Sequence, residues 1–163
     1  MNQTDDSTSM TTDTRVEDQR ELVRRIARIA TRLVPDGHGV SLQFINHNRE
    51  LNDNLPADEV EEIVSEVEPD GYTEIGTNLK KKILTPLVYD VLKAGKLKRP
   101  ILVSIITDGC PSGDSLSPEK NDTFKNTILE CRRFLETSTK YKPTGAPSLF
   151  LPSVSSRILN YSF

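Results

Sequence analysis

The chain has 163 residues, of which 35% are hydrophobic and 28% charged, with a formal net charge of −3. That is enough for one domain with a real core, and too apolar for a disordered chain. The mildly acidic balance offers no footing for nucleic acid, two cysteines form neither a disulfide framework nor a zinc spacing, and no apolar run reaches the roughly 18 residues of a membrane span. The acidic, polar start does not read as a secretory leader, so a reducing, cytoplasmic setting is the expectation.

The first stretch with chemical character is Asp5-Asp6-Ser7-Thr8-Ser9, two carboxylates and three hydroxyls in a row. Alone it fits a frayed terminus, a helix N-cap or a set of oxygen ligands. From about Arg15 to Val34, Leu22, Val23, Ile26, Ile29, Ala30 and Leu33 recur at three- and four-residue steps. They predict an amphipathic helix with Arg24, Arg25, Arg28 and Arg32 on its wet side, ended by Pro35-Asp36-Gly37. Val40, Leu42 and Phe44 alternate with polar neighbours and predict a strand. A second helix opens at Pro56 and carries Val60, Ile63, Val64 and Val67 inward, with acidic residues in its first turn.

After Pro69-Asp70-Gly71 comes GYTEIGTNL, then a third helix with Leu79, Ile83, Leu87 and Leu92 inward and a kink or break expected at Pro86. The basic run Lys80-Lys81-Lys82 reads as its solvated face. The most hydrophobic stretch, Pro100 to Thr107, is apolar on both faces, as in a parallel sheet covered by helices, and ends in Asp108-Gly109. A helix from about Asn121 to Thr137 follows, presenting Phe124, Ile128, Cys131 and Leu135. Beyond it the chain is broken by prolines and rich in serine. A short strand at 148–151 would be confined to an edge, or ended, by Pro152.

This order predicts an α/β domain with a mainly parallel sheet, in which ligands sit at the carboxyl ends of strands. The three oxygen-rich stretches "DDSTSM", "GYTEIGTNL" and "ILVSIITDG" fall at such junctions, in this order. Together they resemble the von Willebrand factor A (vWA) domain, most closely intracellular, fungal-type members, over residues 5–140. The family's Asp-x-Ser-x-Ser pattern matches Asp5, Ser7 and Ser9. Its Gly-Gly-Thr loop matches Gly71-Tyr72-Thr73, with Tyr in place of the second Gly, and its Thr-Asp-Gly turn matches Thr107-Asp108-Gly109.

The resemblance implies a Rossmann-like three-layer sandwich and a metal-ion-dependent adhesion site made from Asp5, Ser7, Ser9, Thr73 and Asp108. Asp5 and Asp108 would bind the ion directly or through water. Thr77, one turn beyond Thr73, is the alternative threonine, or else a helix cap. Oxygen-only ligands of low total charge suit Mg²⁺, with Mn²⁺ as a substitute, and leave a coordination position open. The resemblance further implies a protein partner that fills that position with an Asp or Glu. Tyr72, Glu74 and Cys110 flank the expected ligands and are the candidates for contact with it. Glu74 either tunes the site or faces solvent.

Enzymatic readings have weaker support. No motif links His38 or His47 to Cys110 as a base to a nucleophile, and the Asp-x-Asp of Mg²⁺-dependent phosphatases is replaced here by Asp5-x-Ser7. A Mg²⁺-dependent hydrolase using Asp108 and a vestigial or structural domain without a functional ion are the rivals to a binding module that is not an enzyme. Two departures from the family are expected to matter. Residues 1–4 lack the apolar strand that should precede Asp5, and 141–163 reads as an irregular tail instead of the closing strands and helices. A chain truncated at both ends, with its first strand and last elements missing, is the expectation.

Overall fold

Helical periodicity accounts for most of the scaffold. In the computed structural model, residues 2–33, 39–48, 54–97, 101–109, 111–113, 119–138 and 150–154 are described. Helix α1 spans Arg15–Leu33, α2 Ala57–Glu66 and α5 Thr123–Thr137, each within a few residues of its predicted bounds. Helix α1 buries Val23 and Ala27, while Ile29 and Leu33 stay exposed. At 100° per residue Ile29 lies on the far side of the helix from Val23 and Ala27, whereas Leu33 flanks that face and is exposed as the helix's last residue. Helices α1 and α2 are tied by Arg24 and Arg28 to Glu61, and by Arg20 to the carbonyl oxygens of Val64, Ser65 and Val67 at the end of α2.

The third helical run does not break at Pro86. It passes from α3 (Ile75–Asn78) into a π-helical segment, Leu79–Tyr89, and on into α4 (Asp90–Lys93). Proline has no N–H for the α-helical ladder and crowds the carbonyl four residues back. Wider winding, seen where the Asp90 N–H reaches the Thr85 carbonyl, accommodates it. Leu79, Ile83 and Leu92 are buried as expected.

Among the described residues, four strands form one all-parallel sheet: β1 (Asn2–Thr4), β2 (Leu42–Phe44), β3 (Val103–Thr107) and β4 (Phe150–Val154), in spatial order β2-β1-β3-β4. Two expectations are corrected here. The first strand is not missing: Asn2, Gln3 and Thr4 pair with β2 on one side and β3 on the other, although none of the three is apolar. Nor is the tail wholly irregular, since β4 adds to β3 and carries Pro152 opposite Ile105. Strand β4 lies at the edge of this sheet, where a residue lacking an N–H is tolerated. Residues 34–38, 110, 141–149 and 155–163, on which the Pro35-Asp36-Gly37 breaker, His38, Cys110 and the rest of the tail were read, lie outside the described residues.

Helices cover both faces, which makes three layers. Ile106 joins Val23, Ala27, Leu42, Phe44, Val60 and Val64 in one core, under α1 and α2. Val103 and Ile105 join Ile75, Leu79, Ile83, Leu84 and Cys131 in the other, under α3, the π-helical segment and α5. Adjacent residues of β3 thus feed opposite cores, as the alternation of a strand requires. Gly76 lets α3 approach α5 closely: a Cβ there would lie 2.6 Å from the Phe124 backbone nitrogen. The fold is α/β and Rossmann-like. Among the described residues no helix is long and apolar enough to cross a membrane.

Candidate cation site at the switch point

From β1 the chain crosses to β2 on one side, and from β3 to β4 on the other. The carboxyl ends of β1 and β3 therefore flank the point where the winding direction reverses, the place where open α/β sheets form a ligand crevice. Asp5 follows β1 and Asp108 follows β3. The two ends are clamped: the Asp5 N–H donates to the Ile106 carbonyl (2.8 Å), and the Thr107 hydroxyl donates to Asp5 Oδ2. Asp5 is 0% exposed. Its Oδ1 accepts the Ser7 N–H at 3.0 Å, and its carbonyl accepts Gln19 Nε2 of α1 at 2.6 Å. Burial, and secondarily the Asp108 charge, push its carboxyl pKa up against the pull of these hydrogen bonds.

The hydroxyls gather beside it. Thr73 Oγ1 donates to Ser7 Oγ at 2.8 Å, and Ser7 Oγ lies 3.0 Å from Ser9 Oγ. Thr73 is buried and set by its neighbours: its N–H donates to Ser112 Oγ (2.9 Å) and its carbonyl accepts the Ser112 N–H (3.2 Å). Thr77 is elsewhere. It is exposed on a groove with Lys80, Lys81 and Glu130, so Thr73 is the threonine that joins Ser7 and Ser9. Asp108, 3% exposed, has Oδ1 buried without a partner, while its Oδ2 accepts Arg15 Nη1 at 2.8 Å.

Of the expected flanking residues, Tyr72 is 50% exposed beside Thr73 and Glu74 is half-buried at the N-cap of α3. Glu74's carbonyl accepts the Asn78 N–H and side-chain amide. Cys110 lies outside the described residues.

Several residues that hold this arrangement were not identified from sequence. Asp6, also buried, accepts the N–H groups of Asn46 (2.7 Å) and His47 (2.8 Å) and shares a 2.8 Å hydrogen bond with His47 Nδ1. Lys82, read as part of a solvated face, turns its ammonium onto the carbonyl oxygens of Phe44, Ile45 and His47 at 2.7–3.1 Å. Glu119 accepts the N–H groups of Gly76 (2.8 Å) and Thr77 (2.9 Å) at the start of α3. A carboxylate at a helix N-terminus suits both the free N–H groups and the helix dipole. No local motif announces these partners, which lie tens of residues away in sequence.

The donor set passes a chemical test for a small hard cation. It consists of hydroxyl and carboxylate oxygens, and one carboxylate oxygen is buried and unpartnered. It holds only two carboxylates, and among the described residues no group of three or more His, Cys, Asp or Glu side chains is arranged to hold a metal. An ion here would rest largely on hydroxyls. The molecule is thus an α/β domain with a candidate cation site at its switch point. No family model matches the chain, and no curated protein or solved structure matches it.

Proposed function

We propose that the chain is a vWA-like interaction module that holds Mg²⁺ at the carboxyl edge of its sheet and engages an Asp or Glu of a protein partner through it. One observation carries the reading. Asp5, Ser7, Ser9, Thr73 and Asp108 come from three separate stretches, yet they converge on the switch point, where Asp108 Oδ1 is buried without a partner. A bound ion would be held by the three hydroxyls and the two carboxylates, and would supply an electrophilic anchor for an outside carboxylate.

The protein's own part is positioning. Thr107, Gln19 and the Ser7 N–H fix Asp5, and Ser112 fixes Thr73. Half-exposed Tyr72 offers a partner an aromatic surface beside the ion. The reading is of a binding module and not an enzyme.

A structural domain without a functional ion is the second reading. It is favoured by Arg15, which already sits on Asp108, and by the mutual hydrogen bonds of Ser7, Ser9 and Thr73. Calorimetric titration of Mg²⁺ into the wild type and Asp108→Asn separates the two. The adhesion reading expects one-site binding that the Asn variant loses; no heat with either protein favours the structural domain. A peptide array carrying exposed Asp and Glu, probed in Mg²⁺ and again in EDTA, then tests the partner chemistry.

A further inference from the structure

Asp108 already has a cation of the protein's own. Arg15 Nη1 is 2.8 Å from its Oδ2 and 3.2 Å from the carbonyl oxygen of Ser9, so one guanidinium bridges the first and third oxygen-rich loops. The Asp108 side chain is 4% exposed and that of Arg15 36%, which makes the guanidinium the partner with room to move. Next to it is a cavity of about 250 Å³, lined by Arg15 and Asp108 together with Asp13 and Asp18. Both of these carboxylates are exposed, and Asp18 is one turn along α1 from Arg15. The cavity thus offers a second, solvated place for the guanidinium. A divalent ion ligated by Asp108 and a guanidinium on the same carboxylate would repel each other at this range.

We infer that Arg15 is a built-in counter-ion that occupies Asp108 in the ion-free protein and swings toward Asp13 and Asp18 when a divalent cation binds. The inference rests on the proposed ion site and adds to it a rule for its affinity. A buried carboxylate left without any cation is costly, so Arg15 stabilises the ion-free state. By the same contact it competes with the ion, and ion occupancy becomes linked to the position of the Arg15 side chain.

The test uses the full chain. Mg²⁺ is titrated by calorimetry into the wild type, Arg15→Gln and Arg15→Lys, and the Arg15 Nε–H resonance of the wild type is followed by NMR through the same titration. Arg15→Gln is expected to bind Mg²⁺ about tenfold more tightly, within the usual range of coupling between sites. Arg15→Lys should fall between the two, and the Arg15 resonance should shift with the calorimetric midpoint. Binding by Arg15→Gln alone keeps the competition but overturns the swing, since the wild-type guanidinium would then exclude the ion. Equal or weaker affinity in Arg15→Gln, or an Arg15 resonance unmoved at saturation, overturns the counter-ion inference and leaves the ion site standing. Absence of Mg²⁺ binding in both proteins overturns the ion site and the inference together. If Arg15→Gln does not fold, the wild-type resonance decides.

Discussion

At the scale of single residues, the candidate site carries a cost in stability. Asp5 is fully buried, and burial raises its carboxyl pKa more than its hydrogen bonds lower it. A carboxyl with a raised folded-state pKa holds its proton more tightly when folded than when unfolded. The unfolding free energy therefore falls as pH rises from the ordinary carboxyl value through the raised one, and the penalty is fully present only above the raised value. Asp5→Asn keeps the shape and removes the charge. In EDTA it should be more stable than wild type at about pH 7.5, by on the order of 1 kcal/mol, with the advantage shrinking toward about pH 4.5. Urea denaturation at both pH values measures this, and a variant less stable at neutral pH would contradict the account. The same variant should lose Mg²⁺ binding. Asp5, Ser7 and Ser9 could be picked out in the sequence because their pattern is local. The contact of Arg15 with Asp108 spans 93 positions, and neither residue's surroundings advertise it.

At the scale of elements, periodicity exposed what packing alone dictates. Helices α1, α2 and α5 and strand β3 were readable because their apolar residues repeat with the period of their own geometry. The π-helical segment was not, since its widened turns reflect how the run is completed across Pro86 and not a distinct apolar pattern. The anchoring of α3 was equally hidden. Glu119 lies 43 positions from Gly76, and its carboxylate holds the first N–H groups of the helix that begins two residues after Thr73. Glu119→Ala leaves those N–H groups unpaired and should cost about 1–2 kcal/mol in urea denaturation. Because the loop bearing Thr73 leads into that helix, the variant should also bind Mg²⁺ more weakly. Unchanged stability would mean that water replaces the carboxylate without loss.

At the scale of the whole molecule, the sheet carries an unusual centre. Strand β1 lies between β2 and β3, where a continuous apolar run is the norm, yet it reads Asn-Gln-Thr. That composition hid the strand from sequence-based reading, because sheet position is decided by pairing and the usual signal for a buried strand is apolarity. Asn2 pairs with Leu42 and Ser104, and Thr4 with Phe44 and Ile106, so both side chains face the core under α1 and α2. Both Asn2 side-chain amide atoms and Thr4 Oγ1 are buried without a hydrogen-bond partner. An unpaired buried polar group costs roughly 1–3 kcal/mol. Thr4→Val, which keeps the shape and removes only the hydroxyl, should therefore stabilise the fold by about 1 kcal/mol, and Asn2→Leu by about as much or more. The check is a higher urea midpoint at an unchanged slope, since the slope reports the surface exposed on unfolding and should not move. Neither side chain belongs to the candidate donor set, so Mg²⁺ affinity should stay within twofold or so of wild type. A destabilised Thr4→Val would show that its hydroxyl is paired after all, and that the polar centre of the sheet is satisfied from within.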